Sequence, residues 1–209
     1  MKTIVFQGDS ITDAGRNRDR DSERGIGYPT LVAGELGYKY PAEYDFINEG
    51  VSGDRIVDLY ARIKRDIIHR RPDYLTILIG INDVWHEINE RNGVENKKFF
   101  RVYCNLIEEL KAVLPDLKIF ILEPFVLKAS ATEKAWSVFR RETEMRAESA
   151  KAVAEKYGLF FIPLQEKFDE AATKAEASYW LSDGVHPTAA GHELIARELI
   201  PVLEKEMRS

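Results

Sequence analysis

The chain has 209 residues, 44% of them hydrophobic and 31% charged, with a formal net charge of -5. That size and balance predict one domain, residues 1–209, with a substantial core, and the acidic excess excludes a nucleic-acid binder, whose footprint is basic. A single cysteine, Cys104, excludes an internal disulfide; with no charged leader and no apolar run of about 18 residues, the expectation is a soluble, cytoplasmic protein without a membrane partner.

The first apolar run, Thr3 to Phe6, reads as a strand, and Gly8-Asp9-Ser10-Ile11-Thr12 follows it. Such a serine is exposed at a strand end, although the string alone also fits an ordinary helix cap. Arg16 to Gly27 is the longest irregular stretch, and the mixed charges of Arg16 to Arg24 within it read as a solvated loop. A helix is expected over Tyr28 to Leu36 and a second strand over Asp45 to Asn48. Gly50-Val51-Ser52-Gly53 comes next, then Asp54 as the cap of a helix over Arg55 to Ile68, with apolar residues at 3–4 spacing.

The third strand, Tyr74 to Ile79, precedes Gly80-Ile81-Asn82-Asp83, with Trp85 and His86 in a following loop. The helix Asn96 to Leu114 stops before Pro115 and buries Cys104 on its apolar face. A fourth strand, Lys118 to Leu122, leads into an irregular stretch, Pro124 to Ala131. The helix Thr132 to Tyr157 is highly charged, ends at Gly158, and leaves room for contact between copies of the chain. After the fifth strand, Phe160 to Ile162, stand Trp180 and the turn Ser182-Asp183-Gly184-Val185-His186-Pro187-Thr188. The last helix runs from Ala189 to Lys205, with Pro201 expected to kink or break it.

Short strands alternating with helices predict a three-layer α/β/α sandwich around a five-stranded parallel sheet, with sites at the strand C-termini. A serine nucleophile needs a base in hydrogen-bond reach and a group that orients that base. Of His69, His86, His186 and His192, only His186 has a carboxylate, Asp183, three residues before it in a Gly/Pro-flanked turn. His69 reads as a surface residue, His192 as half-exposed or packing, and His86 as lining the site. The Asn82 amide and the Gly53 N–H can donate to an oxyanion, although both also fit plain turns. Asp9 and Asp83 read as bonding loop backbone, with Asp9 also a candidate substrate contact. No metal-ligand spacing and no nucleotide-binding glycine motif occurs, so neither a metal nor a cofactor is expected.

Taken together, Gly8-Asp9-Ser10-Ile11-Thr12, Gly50-Val51-Ser52-Gly53, Gly80-Ile81-Asn82-Asp83 and Asp183-Gly184-Val185-His186 resemble the four blocks of the SGNH/GDSL hydrolases. The resemblance spans essentially the whole chain and implies a flavodoxin-like fold. It also implies Ser10 as nucleophile, His186 as base, Asp183 as its orienting partner, and Ser10, Gly53 and Asn82 as oxyanion donors. Ile79 to Trp85 and Gly184 to His192 resemble the carbohydrate acetylesterase branch, acetylxylan esterases in particular. The implied substrate is a small acetyl ester, such as an acetylated sugar or xylo-oligosaccharide. Val84, Trp85, His86 and Trp180 are expected to close the acyl side, with Trp85 or Trp180 facing the sugar. The alternatives are a lipid-type esterase, lysophospholipase or thioesterase on the same residues, and a carbohydrate-binding module without turnover.

Overall fold

The apolar runs assemble into a single parallel sheet. The structure is a computed structural model and describes residues 1–208. Its strands are β1 (Lys2–Gly8), β2 (Tyr44–Asn48), β3 (Tyr74–Leu78), β4 (Lys118–Leu122) and β5 (Phe160–Ile162), paired in the order β2-β1-β3-β4-β5. Every pairing is parallel; Val5 lies opposite both Ile47 and Leu75, and Leu75 opposite Ile119. This is the flavodoxin-like order expected of the fold. The helices are α1 (Ser10–Asp13), α2 (Tyr28–Lys39), α3 (Ile56–Ala61), α4 (Ile81–Glu90), α5 (Asn96–Val113), α6 (Trp136–Tyr157), α7 (Gln165–Ala172), α8 (Ala177–Trp180) and α9 (Ala189–Met207).

Strand side chains alternate between faces, so one run feeds two cores. Ile4, Phe6, Phe46, Phe120 and Leu122 pack under α2, α7 and α9. Val5, Ile47, Leu75, Ile77 and Ile121 pack under α3, α5 and the second half of α6. Burial on both faces explains why the strands read as nearly continuous apolar runs.

Several expected elements differ. The helix expected over Arg55 to Ile68 breaks after Ala61 into a wide turn, Lys64–Ile68, where the His69 N–H reaches back to the Lys64 carbonyl. The cap of α3 is Arg55, not Asp54, because Asp54 is engaged by Arg62, whose Nε donates to its Oδ2 at 2.6 Å. Helix α6 starts at Trp136, since the Thr132 hydroxyl is bonded to the Leu127 carbonyl instead of capping a helix. Helix α9 runs unbroken through Pro201; the proline is exposed, as is Arg197, whose carbonyl loses its donor. The stretch Arg16 to Gly27 is not all solvated: the Arg16 side chain is 6% exposed, pairs with Glu49 at 3.3 Å, and donates to the Gly50 carbonyl. Trp85 and His86 lie on a helix, α4, not in a loop. Its asparagines, aspartate, tryptophan and histidine are weak helix formers, which hid it.

Candidate active site

Strand order reverses around β1, which is flanked by β2 and β3; open α/β sheets bind ligands at the carboxyl ends beside such a point. Ser10 follows β1, Gly53 follows β2 and Asn82 follows β3. Gly8 permits a tight exit from the sheet, because a Cβ there would stand 2.4 Å from the Leu78 carbonyl oxygen. The chain turns into α1, capped by Asp9, whose Oδ1 accepts the Ile11 N–H at 3.0 Å. The Asp9 side chain is buried, and this desolvation raises its carboxyl to about 7. Expected as a substrate contact, it presents almost no surface to one; its Oδ1 bonds the loop backbone, and its Oδ2 is buried without a hydrogen-bond partner among the described residues. Asp83 is likewise buried, both its oxygens accept the Ile56 N–H at 3.2 Å, and burial pushes its carboxyl well up.

His186 comes to Ser10 from the other end of the chain. Its Nε2 lies 3.0 Å from Ser10 Oγ, and its Nδ1 lies 2.7 Å from Asp183 Oδ2. Asp183 Oδ1 accepts the N–H groups of Val185 and His186 at 2.9 and 2.8 Å. One carboxylate oxygen therefore builds the turn and the other orients the ring. Burial would raise the Asp183 carboxyl, but the bonds from the His186 ring and the two N–H groups outweigh it and lower it to about 2. An ionised carboxylate only accepts, so Nδ1 carries the ring proton and Nε2 is free to accept from Ser10. The Asp183 bond raises the imidazole above its usual value. Gly184, at φ 100°, packs where a Cβ would meet the Leu127 carbonyl oxygen at 2.5 Å. Leu127 and Ala131 in turn donate N–H bonds to the carbonyls of Gly184 and Asp183. The irregular stretch after β4 thus braces the turn that carries His186.

Three candidate donors stand just beyond the ends of β1, β2 and β3. The N–H groups of Ser10 and Gly53 have no acceptor among the described residues. Gly53 adopts φ 86° with open space beside it. Asn82 is 6% exposed and gives one amide N–H to the Asp54 carbonyl at 3.1 Å, which fixes its plane and leaves its second N–H. The loop after β2 is tied down by residues that sequence reading did not single out. Asp13 Oδ2 accepts the Ser52 N–H, Asn48 Nδ2 donates to the Thr12 carbonyl at 2.6 Å, and Arg62 donates to the Glu49 carbonyl at 2.9 Å. Their signal was weak: Asp13 and Asn48 lie beside motifs and Arg62 within the helix expected over Arg55 to Ile68, and none marks itself by reactive chemistry.

The aromatic candidates separate. The Trp85 ring stands 5.7 Å from that of His186 and packs edge-on against Phe139. Trp180 does not join the site through any ring contact; it packs edge-on against Tyr179 and lines a cavity of about 430 Å³ between α7 and α9. Val84 is buried in the core. Of the four residues expected to close the acyl side, Trp85 is the one with a ring contact to His186, and Val84 is buried. His192 is buried, stacks on Tyr28 and accepts the Tyr28 N–H at 3.2 Å, so packing is its role. His69 is exposed. Among the described residues, no cluster of three or more His, Cys, Asp or Glu could hold a metal ion, and no helix is long and apolar enough to cross a membrane.

Residues 6–194 match the profile of the GDSL-like Lipase/Acylhydrolase family. An acetylxylan esterase of Geobacillus stearothermophilus is 31% identical over 206 residues, covering 94% of this chain and 91% of that protein. The crystal structure of a GDSL-like lipase candidate from Parabacteroides merdae ATCC 43184 aligns with a TM-score of 0.92 at 33% identity, covering 97% of this chain and 95% of the other. A catalytic mutant of the Geobacillus acetylxylan esterase, with a serine changed to alanine, aligns with a TM-score of 0.86 at 30% identity, covering 96% and 93%. Other catalytic mutants of that esterase change an aspartate or a histidine to alanine.

Proposed function

Because the chain belongs to the GDSL-like lipase/acylhydrolase family and is a carboxylic-ester hydrolase, we propose that residues 1–209 act as one hydrolase domain that removes acetyl groups from carbohydrates through Ser10, His186 and Asp183. The observation that carries the reading is the relay itself: 2.7 Å from Asp183 to His186 and 3.0 Å from His186 to Ser10. Ser10 Oγ attacks the ester carbonyl while His186 Nε2 takes its proton. Asp183 stabilises the imidazolium that forms. The negative oxygen of the tetrahedral intermediate accepts from the Ser10 and Gly53 N–H groups and the second N–H of Asn82. These donors are already held in place, so little reorganisation opposes the step. His186 then gives its proton to the leaving alcohol oxygen, and the C–O bond breaks. A water, deprotonated by His186, attacks the acyl-Ser10, and acetic acid and the free serine result.

The acetyl-sugar substrate is supported by the acetylxylan esterase relative, whose alignment covers most of both chains. The test is acetate release from acetylated xylo-oligosaccharides, measured beside p-nitrophenyl esters of increasing acyl length. The expected result is turnover of the saccharides, a steep fall in kcat/KM from acetate to butyrate, and an octanoate rate near zero. Ser10→Ala should lower kcat by on the order of 10⁴ or more with the fold intact, and an organophosphate should label Ser10. A preference for octanoyl or longer esters would replace the carbohydrate reading with a lipid-type esterase. Labelling at another residue would remove Ser10 from its role.

A further inference from the structure

The helix expected over Arg55 to Ile68 ends early, and Arg62 is the residue at its break. Arg62 caps the C-terminus of α3, where its N–H reaches back to the Leu59 and Tyr60 carbonyls. Its side chain turns inward and is only 12% exposed. A guanidinium has five N–H donors in a planar fork, and here all five find acceptors. Nε donates to Asp54 Oδ2 at 2.6 Å. Nη1 donates to the Glu49 carbonyl at 2.9 Å and to Asp66 Oδ2. Nη2 donates to Gln7 Oε1 at 2.9 Å and to the Gly8 carbonyl at 3.4 Å. Pairing of charge would need only the two aspartates. Three of the five bonds go instead to neutral acceptors at the end of β1 and just past β2.

Four of these acceptors belong to the segments that carry the candidate oxyanion donors. Gly8 lies two residues before Ser10, and its own N–H is held by Gln7 Oε1 at 2.9 Å. Gly53 sits in the turn closed by the Asp54 N–H on the Val51 carbonyl at 3.2 Å. Arg62 holds both flanks of that turn, through the Glu49 carbonyl and the Asp54 carboxylate. The Gly8 carbonyl also accepts the Val51 N–H at 3.0 Å, which joins the ends of β1 and β2 at the same point. Asn82 is reached through Asp54, whose carbonyl accepts its amide at 3.1 Å. Burial pushes the Asp54 carboxyl up, and the charge and bond of Arg62 oppose that rise. Donors from three strands can meet one oxygen only if their spacing is fixed, and a misplacement of about 1 Å costs on the order of 100-fold in rate. We propose that Arg62 is the positioning residue of the oxyanion hole, one planar guanidinium that sets the spacing of Ser10, Gly53 and Asn82. This role rests on the oxyanion assignments above and adds the group that holds them in register.

Arg62→Lys keeps the charge but donates from a single nitrogen, which cannot span acceptors at two strand ends. Steady-state kinetics on p-nitrophenyl acetate should show kcat lowered about 10- to 100-fold, with KM little changed and thermal melts confirming the fold. The exposed Arg65 also pairs with Asp66, and Arg65→Ala should leave kcat within about twofold of wild type. An equal fall in Arg65→Ala would assign the effect to the Asp66 ion pairs and overturn the role of Arg62. An Asn82→Ala background separates positioning from general loosening. Arg62→Lys should cost less there than in wild type, because one of the donors it places is gone. Losses that simply multiply, or a fall carried by KM, overturn the positioning role. If Arg62→Lys does not fold, Asp54→Asn is measured instead. It removes the charge from the 2.6 Å bond but keeps the carbonyl that braces Asn82. It should lower kcat about tenfold at unchanged KM, and an unchanged kcat overturns the proposal. If Asn82→Ala alone leaves kcat unchanged, the oxyanion reading itself fails, whatever Arg62 does.

Discussion

At the scale of single residues, Asp183 and His186 set each other's protonation. Their contact lowers the carboxyl to about 2 and raises the imidazole. The base proposed here, His186, works only when neutral, so kcat/KM should rise with pH through a midpoint above the unperturbed histidine value of about 6.5. Asp183→Asn removes the charge and the bond that raise the imidazole. Its profile should rise at lower pH and reach a lower plateau, because the imidazolium loses its counter-charge; a pH–rate series on both proteins reads the two effects separately. An unshifted midpoint would mean that Asp183 does not act through His186. Asn82 is already braced on the Asp54 carbonyl, so its second amide hydrogen is prepaid in orientation. Asn82→Ala should lower kcat by about 10²–10³ with little change in KM, as steady-state kinetics on p-nitrophenyl acetate would show.

At the scale of elements, the turn between α8 and α9 is held as much by its neighbours as by its own sequence. Gly184 combines φ 100° with a Cβ position 2.5 Å from the Leu127 oxygen. Gly184→Ala must therefore push the stretch after β4 away from Asp183, in addition to the backbone strain of about 1–2 kcal/mol. Both the melting temperature and kcat should fall. Gly53→Ala meets similar backbone strain in open space, so its stability loss should be the smaller of the two while its activity loss remains. Equal melting temperatures for the two variants would refute the bracing. The helix α4 shows how an element changes the meaning of its residues. Read as a loop, Asn82, Trp85 and His86 had no fixed relation; as a helix they share a face, and the Trp85 ring on it stands 5.7 Å from that of His186.

At the scale of the whole molecule, α9 is docked on α2 through His192, whose Nδ1 accepts the Tyr28 N–H. Burial, with a smaller effect from His186, lowers this imidazole to about 4. Between about pH 6.5 and pH 4 the unfolded chain takes up a proton at this histidine that the folded chain refuses. Stability should therefore be lost as pH falls through that window, by about 2–3 kcal/mol from this group. Denaturant melts at pH 7 and pH 4.5 test this, and His192→Gln, which keeps an acceptor but cannot titrate, should shrink the difference. The sequence by itself determined the five strands to within two residues, because runs such as Tyr74 to Ile79 are too short and too apolar for anything but a doubly buried strand. It also marked Ser10, Gly53, Asn82, Asp183 and His186, because glycines and chemically distinctive side chains at strand ends leave a pattern in one dimension. Only the tertiary structure decided which distant residues meet. Ser10 and His186 are 176 positions apart, and their 3.0 Å contact depends on the docking of α9 and on the stretch after β4. The same packing sent Trp180 to the α7–α9 cavity and buried the side chains of Arg16 and Asp9. Local sequence carries propensity and chemistry, but the direction of a side chain and its neighbours are properties of the packed whole.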